Sequence, residues 1–592
     1  VTIGNGGNPG FIVEGGDWFQ WCLPVYTCTG SWSANLYLIY YGIPLRAVPD
    51  RSTHSISNSK NGGGDPREGA NCTYPCTQGG AGDPINTRTG GLDYSWVDLS
   101  VPTSAGPLVF QRNYASSATS LHASAPMGAG WTHNHDTRLI FPADPGGEAG
   151  VVWFKAHSAN QYRFDINSDG STYTPFYGVL ASLTKNPGPP VTYTLVNSAQ
   201  ETYTFDETGK LLTWADAQGH TFTYTNPTAN TFKVSADGGT RYLTLTYDGS
   251  GRVASVADHS GRSVSFTYNG NGDLATAVDV LGQTWTYTYD AAHHLTQVTD
   301  PGNVITLRTE YDAQGRAFRQ FDGLNQLVVE VAYNADGTAT ITDGLTHSQT
   351  HAYDSRQTLT SQTDPAGTTT KTYDSNFRPS TITDPASHTT QLTWSADGAN
   401  LTQAQDAASN TTTITYDTLN NPTSVVDARN FLTTYNYNGT LLTGAVDALN
   451  STTTYTYTTA ADAPQPPSLL KSATDPLGHT TSYTYDQFGQ RVSMTDALGN
   501  TTTYSYDSLG RLVNITDPLG RVTHHEYDAA GRLTRVTSNY DVAKPQNSQG
   551  QYNIVIQYQY DAVGNQTRVT DTFGRVTQYE YDAANRLIRT ID

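Results

Sequence analysis

The chain has 592 residues, 36% of them hydrophobic and 11% aromatic, which is enough Tyr, Trp, Leu and Val to exclude bulk disorder. A formal net charge of −20 argues against a nucleic-acid backbone as partner, although much of the Asp falls in turns. No apolar run reaches the ~20 residues of a membrane-spanning helix, no long amphipathic helical pattern occurs, and the length exceeds one ordinary domain unless the chain is a repeat array.

Residues 1–82 are read as a cysteine-containing cap or assembly region. The chain starts at Val1 without a basic and apolar leader, so a processed, secreted protein is the simpler expectation. All four cysteines lie here: Cys22, Cys28, Cys72 and Cys76. The even count suggests two disulfides, most simply Cys22–Cys28 and Cys72–Cys76, with crossed pairing open. Disulfides would fit an extracellular or cell-surface location. Spacings of C-x5-C and C-x3-C fit a zinc knuckle poorly. The best apolar run, LYLIYYGIPLRAV (Leu36 to Val48), is broken by Gly42, Pro44 and Arg46 and predicts one or two short strands.

Residues 83–200 are predicted to form a separate β region. It holds GDPINTRTGGLDYSWVDLSVPTSAGPLVFQRNYASS (Gly82 to Ser117, from one residue before it) and MGAGWTHNHDTRLIF (Met127 to Phe141). His133 and His135 could face one side of a strand and hold a metal, but a structural role is the stronger expectation.

Residues 201–592 are a repeat array, opened by a degenerate copy at Phe205 to Asn226. Aligned on the Tyr-Asp pair, the tyrosines fall at Tyr247, Tyr268, Tyr289, Tyr311, Tyr333, Tyr353 and Tyr373, with Trp394 substituting once, then from Tyr416 to Tyr581. Most steps are 20 to 22 residues. Each period holds two Asp-x-x-Gly turns, hence two strands. Asp accepts backbone N–H groups ahead of it, Pro presets φ at the next position, and Gly suits the left-handed position that follows. In GNTTTYSYD, Thr502, Tyr504 and Tyr506 share one face and Thr501, Thr503 and Ser505 the other. Core packing is the expected role of the repeat aromatics, among them Tyr289, Tyr311, Tyr485, Tyr506, Tyr527 and Tyr581; a sugar-binding surface is the rival reading. More than thirty such strands cannot stay flat, so the array should coil into a spiral, tube or hollow shell. The inserts TTAADAPQPPSLL and SNYDVAKPQNSQG are expected to project as loops. The turn aspartates Asp290, Asp312, Asp486, Asp507, Asp528 and Asp582 fall along one sheet edge and could collect Ca²⁺, though turn chemistry explains them. The pairs His293–His294 and His524–His525 are expected to be solvated. The final strand, RLIRTID (Arg586 to Asp592), should leave an outer edge that another chain or further sequence covers.

Motifs such as YDSLGRLVNITDPLG (Tyr506 to Gly520) and YDAAGRLTRVT (Tyr527 to Thr537) resemble the YD repeats of RHS proteins, a family that includes the teneurins and the shell subunits of insecticidal toxin complexes. The segments from Gly82 to Phe141 resemble the β-rich region that opens many bacterial RHS proteins. The resemblance implies an all-β spiral that can close into a hollow cocoon around a polypeptide cargo, usually a toxin. The family's autoproteolytic aspartyl plug is not visible, because DPLG at Asp475 and Asp517 is an ordinary repeat turn. No catalytic constellation, cofactor motif or metal-binding motif is recognisable, so a non-enzymatic scaffold is expected. Its partners would be an enclosed cargo or other copies of itself, the latter as a self-assembling extracellular fibre or adhesin. Cell-surface carbohydrate is a further candidate.

Overall fold

A computed structural model describes residues 80–81, 85–118, 125–157, 160–544 and 551–592. The four cysteines and the 36–48 run lie outside the described residues.

Alternation of Thr or Ser with Tyr, Leu and Val makes strands, and Asp-x-x-Gly makes the turns between them. The result is one sheet of 38 strands, from Ala181–Asn186 to Leu587–Ile591, in which every strand is antiparallel to its sequence neighbours. The sheet thus begins at Ala181, inside the segment assigned from sequence to the preceding β region. The turn after Tyr506 shows the local chemistry. Asp507 Oδ1 accepts the N–H groups of Leu509 and Arg511 at 2.9 Å each, and its Oδ2 accepts Arg511 Nε at 2.7 Å. The Gly510 N–H closes the turn on the Asp507 carbonyl at 2.9 Å, with Gly510 at φ 78°. A bulge follows between Ser505 and Tyr506, as a type I turn with a left-handed residue requires. His293 takes the same place at φ 67°, so the turn hydrogen bonds hold a non-glycine residue in the left-handed region.

The two faces differ as the alternation dictates. Thr503 and Ser505 are exposed, whereas Thr502, Tyr504 and Tyr506 are partly buried. On the hydroxyl face, cross-strand pairs bond directly, as in Thr484–Ser493 at 2.6 Å and Thr495–Thr501 at 2.8 Å.

Besides a two-stranded pairing of Gly80–Ala81 with Ile85–Asn86, two smaller sheets precede the array. One has three strands, Asp93–Val101, Leu108–Ala115 and Trp131–His133. The other has four, Arg138–Ile140, Val151–Lys155, Gln161–Ile166 and Tyr173–Pro175, and a Thr172–Thr184 bridge joins it to the first strand of the array.

The long sheet coils back on itself. His220 Nε2 meets the Pro467 carbonyl at 3.0 Å, Arg241 Nη2 donates to Gln490 Oε1 at 2.8 Å, and His259 Nε2 meets the Ser508 carbonyl at 3.0 Å. These partners are 247 to 249 residues apart, about twelve repeats per circuit. Residues 181–353 make most of a first circuit and residues 367–591 most of a second. Turns that follow the return strands of the first circuit dock on the Tyr-Asp turns of the second.

Two sequence expectations are corrected here. The insert at residues 458–469 does not project. It folds onto the first circuit through the Pro467–His220 contact, buries Leu469, and its Gln465 Oε1 accepts the Tyr485 N–H at 3.0 Å. The histidine pairs are packed rather than solvated. His294 stacks on Tyr311 with centroids 4.7 Å apart, His293 Nδ1 meets Asp273 Oδ1 at 2.6 Å, and His524 stacks on Tyr540 at 4.5 Å.

Candidate functional site: the tyrosine face of the array

The tyrosine at the Tyr-Asp position of most repeats has a specific partner. Tyr311 Oη donates to the Leu295 carbonyl at 2.9 Å, Tyr485 to Leu470 at 2.7 Å and Tyr506 to Arg491 at 2.8 Å. Tyr527 donates to Leu512 at 2.8 Å and Tyr581 to Gln566 at 2.9 Å. Each acceptor opens or abuts the return strand of the preceding repeat. The hydroxyl therefore satisfies a backbone carbonyl beside a turn while the ring covers the sheet. Trp394, the one substitute, does the same through Nε1 to the Pro379 carbonyl at 2.8 Å. Sequence reading assigned these rings to packing and missed the hydroxyl. The signal was present, because the position alternates between the two large aromatics that can donate a hydrogen bond and never holds Phe between residues 247 and 581.

Tyr289 departs from the pattern because the preceding β region lies on it. Trp131 Nε1 donates to Tyr289 Oη at 2.8 Å, and the Leu295 N–H donates to Tyr114 Oη at 2.7 Å. Arg112 anchors the contact. Its Nε and Nη2 bond Asp98 at 2.6 and 2.9 Å, and Nη1 donates to Tyr287 Oη at 3.0 Å. The guanidinium lies 5.3 to 5.5 Å from the rings of Trp131, Phe266 and Tyr287. Burial alone would push its proton off, but Asp98 holds the charge and raises its pKa. Further contacts run from Ser104 on Asp237 to Thr87 on His351 at 2.9 Å. A region of this size can touch so long an arc of a closing ribbon only from inside the curve, so the tyrosine face is the inner face.

His133 and His135 belong to this region. Both are buried, and desolvation lowers their pKa values to about 4 and about 3. His135 Nε2 meets the Val109 carbonyl at 2.7 Å, and the His133 ring lies 5.5 Å from that of Phe110. Beside them, buried Lys155 pairs with Asp136 and donates to Thr132 Oγ1 at 2.9 Å. Among the described residues no group of three His, Cys, Asp or Glu is placed to hold a metal. The turn aspartates do share one edge, but their oxygens face the N–H groups and side chains of their own turns. At Asp582 the Arg586 N–H and guanidinium, against a smaller effect of burial, hold the carboxyl below its ordinary range.

The inner face is not uniform. In the first circuit Leu243, Leu245, Val256, Leu274, Leu295 and Val298 are fully buried beneath residues 85–166. In the second, Tyr504, Tyr506, Leu512 and Ile515 occupy the same ladder and remain half-buried, and Leu587 and Ile588 of the last strand are exposed.

The RHS repeat family matches seven segments, residues 247–281, 268–305, 353–389, 469–501, 489–521, 506–541 and 560–592. This chain is an RHS-repeat protein. A second family, described as a domain of unknown function (DUF6531), matches residues 82–164. Comparison with curated proteins finds no match. Among solved structures, the RHS chain is similar to a TcdB2–TccC3–Cdc42 complex at 12% identity and TM-score 0.42, covering 81% of this chain and 27% of that one. It is also similar to the Photorhabdus luminescens Tc holotoxin pore, again at 12% identity and TM-score 0.42, covering 84% and 27%. The RHS chain therefore spans about a quarter of the length of the structures it matches. The 38-strand meander and the family match together make it an RHS-type β-scaffold.

Proposed function

We propose that this RHS array is the wall of a secreted, non-enzymatic hollow shell that encloses a polypeptide cargo, a toxin, for delivery. The half-buried inner face of the second circuit carries the reading. It presents two rows of tyrosine interleaved with Leu, Ile and Val, on the side where residues 85–166 already lie in the first circuit. Such a face suits extended polypeptide, because aromatic rings cover apolar side chains. The rival fibre built by strand addition has less support. The first strand of the array already meets the preceding sheet at the Thr172–Thr184 bridge, which leaves less of its edge for a strand from another chain.

The test is native mass spectrometry, with protease protection, on protein purified from its own source. A co-purifying polypeptide that resists protease until the shell is denatured is expected. Particles with an empty lumen, or filaments in electron micrographs, would overturn the proposal.

A further inference from the structure

On the inner face each period carries the tyrosine of the Tyr-Asp pair and, on the same strand, the residue two before it. From Leu245 to Tyr579 that residue is Leu, Ile, Val, Phe, Tyr or Thr, with three exceptions: His351, Lys371 and His525. His525 stands alone between Tyr504 and Tyr558. His351 and Lys371 occupy consecutive periods, about 10 Å apart along the face. The return strand between them departs as well. Gln362 lies opposite His351, whereas Ile341 lies opposite Val331 and Ile382 opposite Lys371. A neutral ladder thus carries one basic patch, where the first circuit hands over to the second.

The preceding β region builds this patch. Thr87 Oγ1 lies 2.9 Å from His351 Nδ1 and 2.5 Å from Tyr353 Oη. Tyr353 thereby leaves the pattern of its neighbours, since Tyr333 donates to the Ala317 carbonyl at 2.6 Å and Tyr373 to the Leu359 carbonyl at 2.7 Å. The turn that brings Thr87 is fixed by Asn86 Oδ1, which accepts the Arg88 and Thr89 N–H groups at 2.9 and 3.0 Å. Yet the patch lacks an acceptor. His351 is 3% exposed and its Nε2 is buried without a partner. Lys371 has no carboxylate among the described residues to offset the burial that lowers its pKa, whereas Arg112 has Asp98 and Lys155 has Asp136. Asp354 and Asp374, next to the tyrosines of these two repeats, are taken up by Arg356 and Arg378. Arg88 adds a further cation, its guanidinium 5.8 Å from the Tyr353 ring and its Nε buried without a partner. Buried donors without acceptors are rare, and a desolvated cation without a counter-ion is costly.

We infer that His351 and Lys371 form a carboxylate-binding site on the inner wall. Thr87 has one hydroxyl proton. Given to His351 Nδ1, while Tyr353 donates to Thr87, it leaves the ring proton of the neutral imidazole on Nε2. Nε2–H then meets one carboxylate oxygen and the Lys371 ammonium the other, the lysine stem spanning the step between the two periods. Charge-assisted bonds of this kind are the strong ones, and the ligand returns a counter-ion to the buried lysine. Arg88 draws the anion in from the side of Tyr353. The same chemistry is offered by a small free acid and by a Glu or Asp side chain of a polypeptide lying on the face. The site stands whether or not the shell holds a cargo.

Thermal melting and calorimetric titration of the 592-residue protein test it, with glutarate and a short glutamate peptide as probes, each compared with chloride at equal ionic strength. Binding and a raised Tm are expected. Glutarate binding as tightly as the peptide assigns the site to a free acid; a peptide bound at least about ten-fold tighter assigns it to polypeptide side chains. Lys371→Leu and His351→Leu should each weaken binding at least about ten-fold, and Lys371→Arg should retain it. Lys371→Leu should melt no lower than the parent in chloride, because the lysine is unpaired there and Leu392 holds the same place in the next period. No binding of either probe beyond chloride, a Lys371→Leu variant that binds like the parent, or one that melts lower in chloride would each overturn the inference.

Discussion

Leu295 and Leu512 hold the same place in their repeats. Each opens a return strand, each lies opposite a Tyr-Asp tyrosine across a bulge, and each gives its carbonyl to the tyrosine of the next period. Leu295 is fully buried and Leu512 is not. The difference comes from what lies on the inner face. Residues 85–166 bury the inner face of the first circuit, while in the second Pro102 and Ser104 reach the turns at Gly510 and Gly489 and Leu512 stays half-buried. The repeat therefore encodes the ribbon, and burial is supplied separately.

The strongest way to break the comparison is to remove the anchor of the covered half. Arg112→Met would leave Asp98 buried without its cation, at a cost of about 3–5 kcal/mol. Hydrogen exchange should rise across the strands from Arg241 to Val298 and stay unchanged from Thr480 to Ile591. Equal loss in both circuits would show that the covered half does not depend on this anchor.

A direct comparison comes next. Leu295→Ala should cost about 2–5 kcal/mol, as a cavity in a closed core. Leu512→Ala should cost about 1 kcal/mol, because the side chain already meets solvent. Denaturant titration of both variants checks the difference, and similar values would mean that the second circuit is covered in solution.

Acid should act on the first circuit selectively. His133 and His135 have folded pKa values of about 4 and about 3, below the ordinary 6.5, because burial disfavours their charged forms. The unfolded chain therefore takes up protons first. Stability is full above pH 6.5 and falls as pH drops towards 4, by about 1.4 kcal/mol per pH unit for each histidine. His133 faces Asp136, Lys155 and Arg138, and His135 faces His133 and His157. Asp136 stays ionised through this window, since its pKa is also lowered, burial being outweighed by Lys155. Exchange protection from residue 85 to residue 353 should weaken across that range, and the double variant His133→Gln, His135→Gln should flatten the dependence.

These contrasts were unevenly legible in the sequence. The period, the strand pairing and the two faces could be read because they depend on neighbours within about twenty residues: Asp507 meets Arg511, and Tyr506 meets Arg491. The coiling was expected from the number of strands, but which turns it brings together could not be read, because Arg241 and Gln490 meet only when about twelve small twists have accumulated. The fold-back of residues 458–469 was hidden for the same reason, since its partner His220 lies a full circuit away. The HNHD motif offered two histidines to a metal, and the fold surrounded them instead with Phe110, Val109 and the Lys155–Asp136 pair.

The smallest expected effect separates the two circuits most finely. Tyr311→Phe and Tyr527→Phe delete the same hydroxyl from the same position, and each frees the carbonyl of a return-strand leucine. In the first circuit the Leu295 carbonyl is sealed beneath Tyr114 and Trp131, where water cannot replace the lost donor, so the substitution should cost about 1–3 kcal/mol. In the second circuit the Leu512 carbonyl sits on a half-exposed face that water can reach, and the cost should fall to about 0.5–1 kcal/mol. The two variants conserve ring size and packing, so the difference between them reports solvent access at a single carbonyl in each circuit. Equal costs would place an occupant over the second circuit, and that occupant should then be sought by releasing it at a denaturant concentration that leaves the first circuit folded.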